Sequence, residues 1–251
     1  MLSKSQFQKY HNEVVEALIA IGDPARGVAI QKDRGSQLKH LGISFPNLRK
    51  RVKQGFSFYD LPENEILEIW DALWKNSKYG DVLFAALEFY IPIVKKQVPS
   101  NLWKVTSQWI ERVDNWCHCD NLCNIYSRIL ESQFSDVYPK LKVWNQAESQ
   151  WKRRASLVSL IHYSGKNAVF LNPQKVLPLV SNCLSDERYY VQTAVGWVLR
   201  EMGHVYKNEI GKYIETNIQT LSAPAFSRAI ERRSSAEKNR LKKMKSASRL
   251  G

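Results

Sequence analysis

The chain is poor in cysteine, in acid and in long apolar runs, and each shortage excludes something. Four cysteines in 251 residues, three of them at Cys117, Cys119 and Cys123 and the fourth at Cys183, do not make the framework of a small secreted disulfide domain. Reduced thiols fit better, and a chain of this length can bury a sizeable core without staples. No run approaches the roughly 18 uninterrupted apolar residues of a membrane span, and Met1-Leu2-Ser3-Lys4-Ser5-Gln6-Phe7 lacks a signal peptide's apolar core. The expectation is a cytoplasmic protein without a membrane span. A metal site is not expected either, because the paired short-spacing cysteines of a structural zinc site are missing. Residues 117, 118 and 119 fan out around a helix instead of converging. By the same divergence His118 cannot act as base for an adjacent thiol, and Cys119 and Cys123 read as small core residues.

The shortage of acid has the opposite value. Lys and Arg outnumber Asp and Glu by 37 to 24, a net +13, and so basic a surface favours polyanions such as nucleic acid. Between Arg232 and Gly251 eight Lys or Arg face one acid, so the excess is partly local. The body before that stretch is basic too. The segment 234–251 could be a helical extension that grips phosphates, but its polarity favours a flexible, solubilising tail. The domain proper is expected to span 1–233.

A β pattern is also missing. Phe7, Tyr10, Val14, Leu18 and Ile21 keep a helical period until Gly22-Asp23-Pro24, and a weaker helix follows from about Ala25 to Leu38. Leu41-Gly42-Ile43-Ser44-Phe45-Pro46 is a turn into a helix whose open side carries Arg49, Lys50, Arg51 and Lys53. Asp60-Leu61-Pro62-Glu63 looks like a cap ahead of Ile66, Ile69, Trp70, Leu73 and Trp74, whose tryptophans read as core. Further helices are expected to end or kink near Pro92 and Pro139, and Asn172-Pro173 starts another. Elements of about 12 to 18 residues joined by short polar turns predict an all-α stack of antiparallel helix pairs, a curved HEAT-like α-solenoid. Such a surface suits a long partner, either duplex nucleic acid or another protein.

Asn115-Trp116-Cys117-His118-Cys119-Asp120 organises the rest. Four residues apart on a helix, Trp116 and Asp120 stack on one face, while Cys119, Leu122, Tyr126, Ile129 and Leu130 form the apolar stripe. The carboxylate therefore points outward. In the helix from Glu187 to Met202 the stripe is Val191, Ala194, Val195, Val198 and Met202, which puts Trp197 on the polar face with Tyr190, Thr193 and Arg200. Either a neighbouring helix covers it or it is exposed to stack on something. With Trp151 and Arg154 one turn apart on another helix, a shared cleft of aromatic walls, one carboxylate and two guanidinium groups is the economical expectation.

These residues carry a resemblance. Val191-Gln-Thr-Ala-Val-Gly-Trp-Val-Leu-Arg-Glu201, the Trp116/Asp120 pair, Trp151-Lys-Arg-Arg-Ala155 and Leu41-Gly-Ile-Ser-Phe-Pro46 occur in the order seen in AlkD-like members of the DNA alkylation repair family. The similarity runs from about residue 25 to residue 233. It implies HEAT-like repeats around double-stranded DNA and hydrolytic removal of N3- and N7-alkylated purines, with no metal, no cofactor and a monomeric protein. It further implies Asp120 as the essential carboxylate, Trp116 and Trp197 as the cleft tryptophans, and Arg154 and Arg200 as backbone contacts; from their placement on the helices Trp151, Arg49 and Lys50 are further candidates for DNA contact. Two positions depart from the pattern: Cys117 follows the tryptophan where relatives often have an acid, and His162 stands where a basic residue is expected. A non-catalytic DNA-binding scaffold of the same fold is the alternative, which base release would separate from a glycosylase.

Overall fold

The computed structural model describes residues 2–161 and 171–247. Among them the amphipathic segments fold as fourteen α-helices and one 3-10 turn, with no strand. In order these are α1 (Lys4–Ile19), α2 (Pro24–Arg34), α3 (Phe45–Gln54), α4 (Glu63–Asn76), α5 (Gly80–Lys96), α6 (Leu102–Thr106), the 3-10 turn Trp109–Arg112 and α7 (Trp116–Ser132). There follow α8 (Phe134–Asn145), α9 (Gln150–Val158), α10 (Pro173–Ser181), α11 (Tyr189–Val205), α12 (Lys207–Thr216), α13 (Ala223–Ile230) and α14 (Ser235–Ala247). They form two compact units, Met1–Ile129 and Leu130–Gly251, where the sequence suggests one domain over 1–233.

In the first unit α3 lies against α5, with α1 and α4 packed across them. Trp70 and Trp74 are core, as their spacing predicts. The Trp74 ring stacks on Trp109 with centroids 4.5 Å apart. Both indoles are satisfied: Trp74 Nε1 donates to Trp109 O at 3.0 Å and Trp109 Nε1 to Asp71 Oδ1 at 2.9 Å. Such a pair is worth about 0.5–1.5 kcal/mol beyond the area it buries. The turn into α3 depends on Gly42. Its φ is +78°, and a Cβ there would sit 2.0 Å from Asp23 O, so no other residue fits.

In the second unit α9, α11 and α13 lie side by side, with α8 against α9, α10 against α9 and α11, and α12 against α11. Consecutive helices packed against one another within each unit make this an all-α, HEAT-like architecture. Asp23, Ser44, Ser149, Asn172 and Ser222 each cap a helix through the side chain.

Three expectations need correction. Asp60 does not cap α4; Pro62 occupies that position and no side chain bonds the first turn. Pro92 and Pro139 lie inside α5 and α8. An interior proline costs about 3 kcal/mol, and here the buried faces on either side (Tyr90, Ile91 and Val94; Val137, Leu141 and Trp144) keep the helices continuous. Finally, of the segment read as a flexible tail, Ser235–Ala247 folds as α14. Leu241 is buried, and the buried Lys245 donates from Nζ to Ile218 O at 2.7 Å and Leu221 O at 2.6 Å, with its ammonium over the Phe226 ring. A lysine satisfied by the carbonyls after α12 anchors the helix, a contact that composition cannot reveal.

Candidate functional site

Trp116, Asp120, Arg49 and Lys50 belong to the first unit, and Trp151, Arg154, Trp197 and Arg200 to the second. His162 lies outside the described residues.

The start of α7 is set from behind by Asn115. Its Oδ1 accepts from Cys117 N and His118 N, both at 3.0 Å, and its Nδ2 donates to Asp114 Oδ1 and His118 Nδ1, both at 2.7 Å. The other ring nitrogen of the buried His118, Nε2, donates to Gly80 O at 3.1 Å. The Asp114 carboxylate also gathers Ser36 Oγ and Gln37 N, each at 2.7 Å. Burial opposes its ionisation, but these hydrogen bonds and the adjacent imidazole hold it well below the usual carboxylate range. Burial pushes the Cys117 thiol up to about 11, so it is an inert packing group.

These contacts bury one side of α7 and turn the other outward. Trp116 is 37% exposed and Asp120, one turn on, is half-buried. A cavity of about 750 Å³ opens between α3, α5 and α7, lined in part by Arg49, Lys53, Tyr59, Glu88, Asn121 and Asn124 but not by Trp116 or Asp120. Arg49 grips Glu88 in a fork, Nε to Oε2 at 2.8 Å and the terminal nitrogen to Oε1 at 3.0 Å; its side chain is 65% exposed and that of Glu88 4%. The hydrogen bond and charge of Glu88 raise the guanidinium's pKa. Lys50 is exposed.

In the second unit α11 approaches α13 backbone to backbone. A Cβ at Gly196 would lie 2.4 Å from Ala225 O and 2.6 Å from Arg228 Cβ, which explains glycine in the Gly196-Trp197-Val198-Leu199-Arg200-Glu201 string. Trp197 is half-buried, and the Arg200 guanidinium lies 5.9 Å from its ring centroid. Arg200 donates to Glu201 Oε1 at 2.9 and 2.7 Å and to Glu231 Oε2 at 2.6 Å. Trp151 rests on Tyr190 with centroids 5.1 Å apart. Arg154 is only 5% exposed and joins α9 to α11, donating to Tyr190 O at 2.6 Å and Thr193 Oγ1 at 3.0 Å.

Sequence reasoning missed the acids that hold these cations. Glu88 lies 39 residues from Arg49 and Glu231 lies 31 from Arg200, so no local pattern announces them; only Glu201, adjacent to Arg200, was visible. Among the described residues no group of His, Cys, Asp or Glu could hold a metal ion, and no helix is long and apolar enough to cross a membrane.

The stacked helix pairs and the two tryptophan-bearing faces define a HEAT-like helical-repeat protein. The chain belongs to the DNA alkylation repair family: the family described as DNA alkylation repair enzyme matches residues 14–232. It therefore has a role in DNA alkylation repair. No curated protein is significantly similar to it. Solved structures share the fold. A predicted DNA alkylation repair enzyme from Enterococcus faecalis aligns with TM-score 0.71 at 14% identity, covering 85% of this chain and 97% of that one. The alkylpurine DNA glycosylase AlkC of Pseudomonas fluorescens, bound to DNA containing an abasic site analog, gives 0.54 at 12% identity over 94% of this chain and 65% of that one. AlkD2 from Streptococcus mutans gives 0.51 at 16% identity over 89% and 98%.

Proposed function

We propose that the chain hydrolyses the N-glycosidic bond of cationic N3- and N7-alkylated purines in double-stranded DNA. The observation that carries this reading is the Trp116/Asp120 pair, an exposed indole one helical turn from a carboxylate on the open side of α7, within the segment matched to the family. The glycosylase AlkC, which shares the fold, is bound to DNA.

The chemistry suits a single carboxylate. An alkylpurine already carries a positive charge, so it leaves with the bonding electron pair and becomes neutral without protonation by a strong acid. The second carboxyl group usual in glycoside cleavage is then dispensable. Positive charge develops on the deoxyribose, where Asp120 stabilises it and orients the water whose oxygen bonds to C1′. Trp116 offers a π-face to that cation, and Trp197 is a further aromatic face for the DNA. Arg154 and Arg200 supply position through phosphates rather than sequence reading, with Trp151, Arg49 and Lys50 extending the contact. Arg200 is the more available of the two arginines, since one of its carboxylates, Glu231, is itself 51% exposed and can yield to a phosphate. Labile cationic lesions are the expected substrates, and neutral lesions are expected to react poorly.

Single-turnover release of 7-methylguanine from methylated duplex tests this. Asp120→Asn should keep the fold and duplex affinity and slow release by about two orders of magnitude or more. Native protein that binds duplex but frees neither 7-methylguanine nor 3-methyladenine would overturn the reading for these lesions.

A further inference from the structure

A second cavity lies wholly within the unit Leu130–Gly251, bounded by the end of α11, the starts of α12 and α14, and the end of α13. It measures about 340 Å³, and its walls include Arg200, His204, Lys207, Arg232, Arg233 and Glu237. Two arginines, Arg232 and Arg233, with Arg200, Lys207 and His204, share it with Glu237, while Glu201 and Glu231 engage Arg200 from outside the lining. The arrangement is held in place. The side chain of Arg233 is 12% exposed and pairs with Glu237 at 3.3 Å. Its terminal nitrogens lie where Gly203 and Gly211 leave α11 and α12 bare, 3.6 and 3.7 Å from the positions a Cβ would take. Glu237 is itself fixed by Ser234, accepting from its Oγ at 3.0 Å. Arg200, 9% exposed, is held by Glu201 and Glu231. Lys207 and Arg232 form the exposed rim.

Three lining residues, Arg233, Ser234 and Glu237, lie beyond residue 232, where the match to the family ends. The docking of α14 through Lys245 and the Arg240–Glu215 ion pair therefore completes a cavity that the matched segment does not contain whole. Guanidinium forks beside an ammonium are the donors that suit phosphate oxygens. Glu201 and Glu237 hold Arg200 and Arg233, and the exposed rim cations Lys207 and Arg232, the latter 3.6 Å from Glu201, are placed to close on an anion.

We propose that this cavity is a phosphodiester subsite that takes a backbone phosphate of the DNA duplex, so that α14 extends the DNA contact past Arg200. The proposal rests on the DNA-directed reading above. It assigns the basic segment a built site instead of a diffuse electrostatic effect.

Duplex affinity of the full chain, measured across a salt series, decides it. The rim variant Lys207→Gln/Arg232→Gln is compared with Lys242→Gln/Lys243→Gln, which removes the same charge from exposed positions of α14 outside the cavity. Both pairs are exposed, so neither change threatens the fold. The rim variant should bind about tenfold more weakly near 0.1 M salt, with the slope of log K against log salt reduced by about one, the value of one lost phosphate contact. The control should lose about twofold or less. Equal losses in the two variants would reduce the effect to net charge and overturn the subsite while leaving the glycosylase reading intact. Native protein that does not bind duplex would overturn both. If millimolar inorganic phosphate raises the Tm of native protein but not of the rim variant, and duplex affinity is unchanged between them, the cavity takes a free anion and the DNA assignment fails.

Discussion

The helices that carry Trp116 and Trp197, α7 and α11, are held in place by different physics. Behind α7 the supports are buried hydrogen-bonding groups: Asn115, His118 and the carbonyl of Gly80, with His40 stacked on His118 at 5.9 Å between centroids. Behind α11 they are a glycine contact with α13 and guanidinium–carboxylate pairs that reach the surface at Glu231. A buried hydrogen-bonded network responds to protonation, because any charge added to it is poorly solvated. A half-exposed ionic one responds to salt and to competing anions. The face carrying Asp120 should therefore be the pH-sensitive one and the face carrying Arg200 the salt-sensitive one.

The largest effect expected is at the glycine contact. Gly196→Val would drive a side chain into the α13 backbone, which can retreat only by separating α11 from α13. A loss of about 3 kcal/mol or more is expected, the range of severe core overpacking, read as a fall in the urea midpoint with the far-ultraviolet helical signal retained below it. A variant as stable as the native protein would show that this contact is not what seats α11.

Acid should act on the other face. Burial, then the charges of His118 and Arg34, push the pKa of His40 down from 6.5 to about 4. Between those values the unfolded chain binds the proton and the folded chain does not, so stability is fully present above about pH 6.5 and falls as pH drops toward 4. Allowing for solvent screening, the loss is about 2 kcal/mol. Asp81, whose carboxyl burial raises, works in the opposite sense, so the histidine is isolated by difference. Between pH 7 and 4.5 the native protein should lose about 2 kcal/mol more than His40→Gln in urea unfolding. Parallel losses would remove His40 from the account.

Asn115→Ala tests the same network at its centre. It deletes the cap on Cys117 N and His118 N and strips a donor from Asp114 and from His118 Nδ1. About 1–2 kcal/mol is expected. Base release should fall several-fold through looser presentation of Trp116 and Asp120, checked by single-turnover release at a temperature where the variant is folded.

The same contrast explains what could be read from the residues alone. The outward turn of Trp116 and Asp120 follows from helical spacing, a local property, as do the core positions of Trp70 and Trp74, and the cap at Asn172 follows from the local Asn-Pro pair. The supports are long-range. Gly80 O is 38 residues from His118, Tyr190 O is 36 from Arg154, and Ile218 O is 27 from Lys245. Arg154 and Lys245 look solvated in sequence because their satisfying carbonyls belong to other helices, and Pro92 and Pro139 look like breaks because the packing that carries the helices past them is tertiary.

The smallest effect is also the most direct test of the ionic face. Glu231→Gln keeps the size of the side chain and removes the charge that Arg200 engages at 2.6 Å. Arg200 holds Glu231 well enough to lower its pKa, yet a half-exposed pair of this kind contributes about 0.5 kcal/mol or less to stability. Folding should hardly change. Arg200 keeps Glu201 and gains freedom toward a phosphate, while the repulsion between Glu231 and DNA disappears. Duplex affinity should therefore rise about two- to threefold at low salt, with the advantage shrinking as salt increases. If affinity falls instead, Glu231 positions Arg200 for DNA rather than competing for it, and the ionic network behind α11 is a support of the same kind as the buried one behind α7.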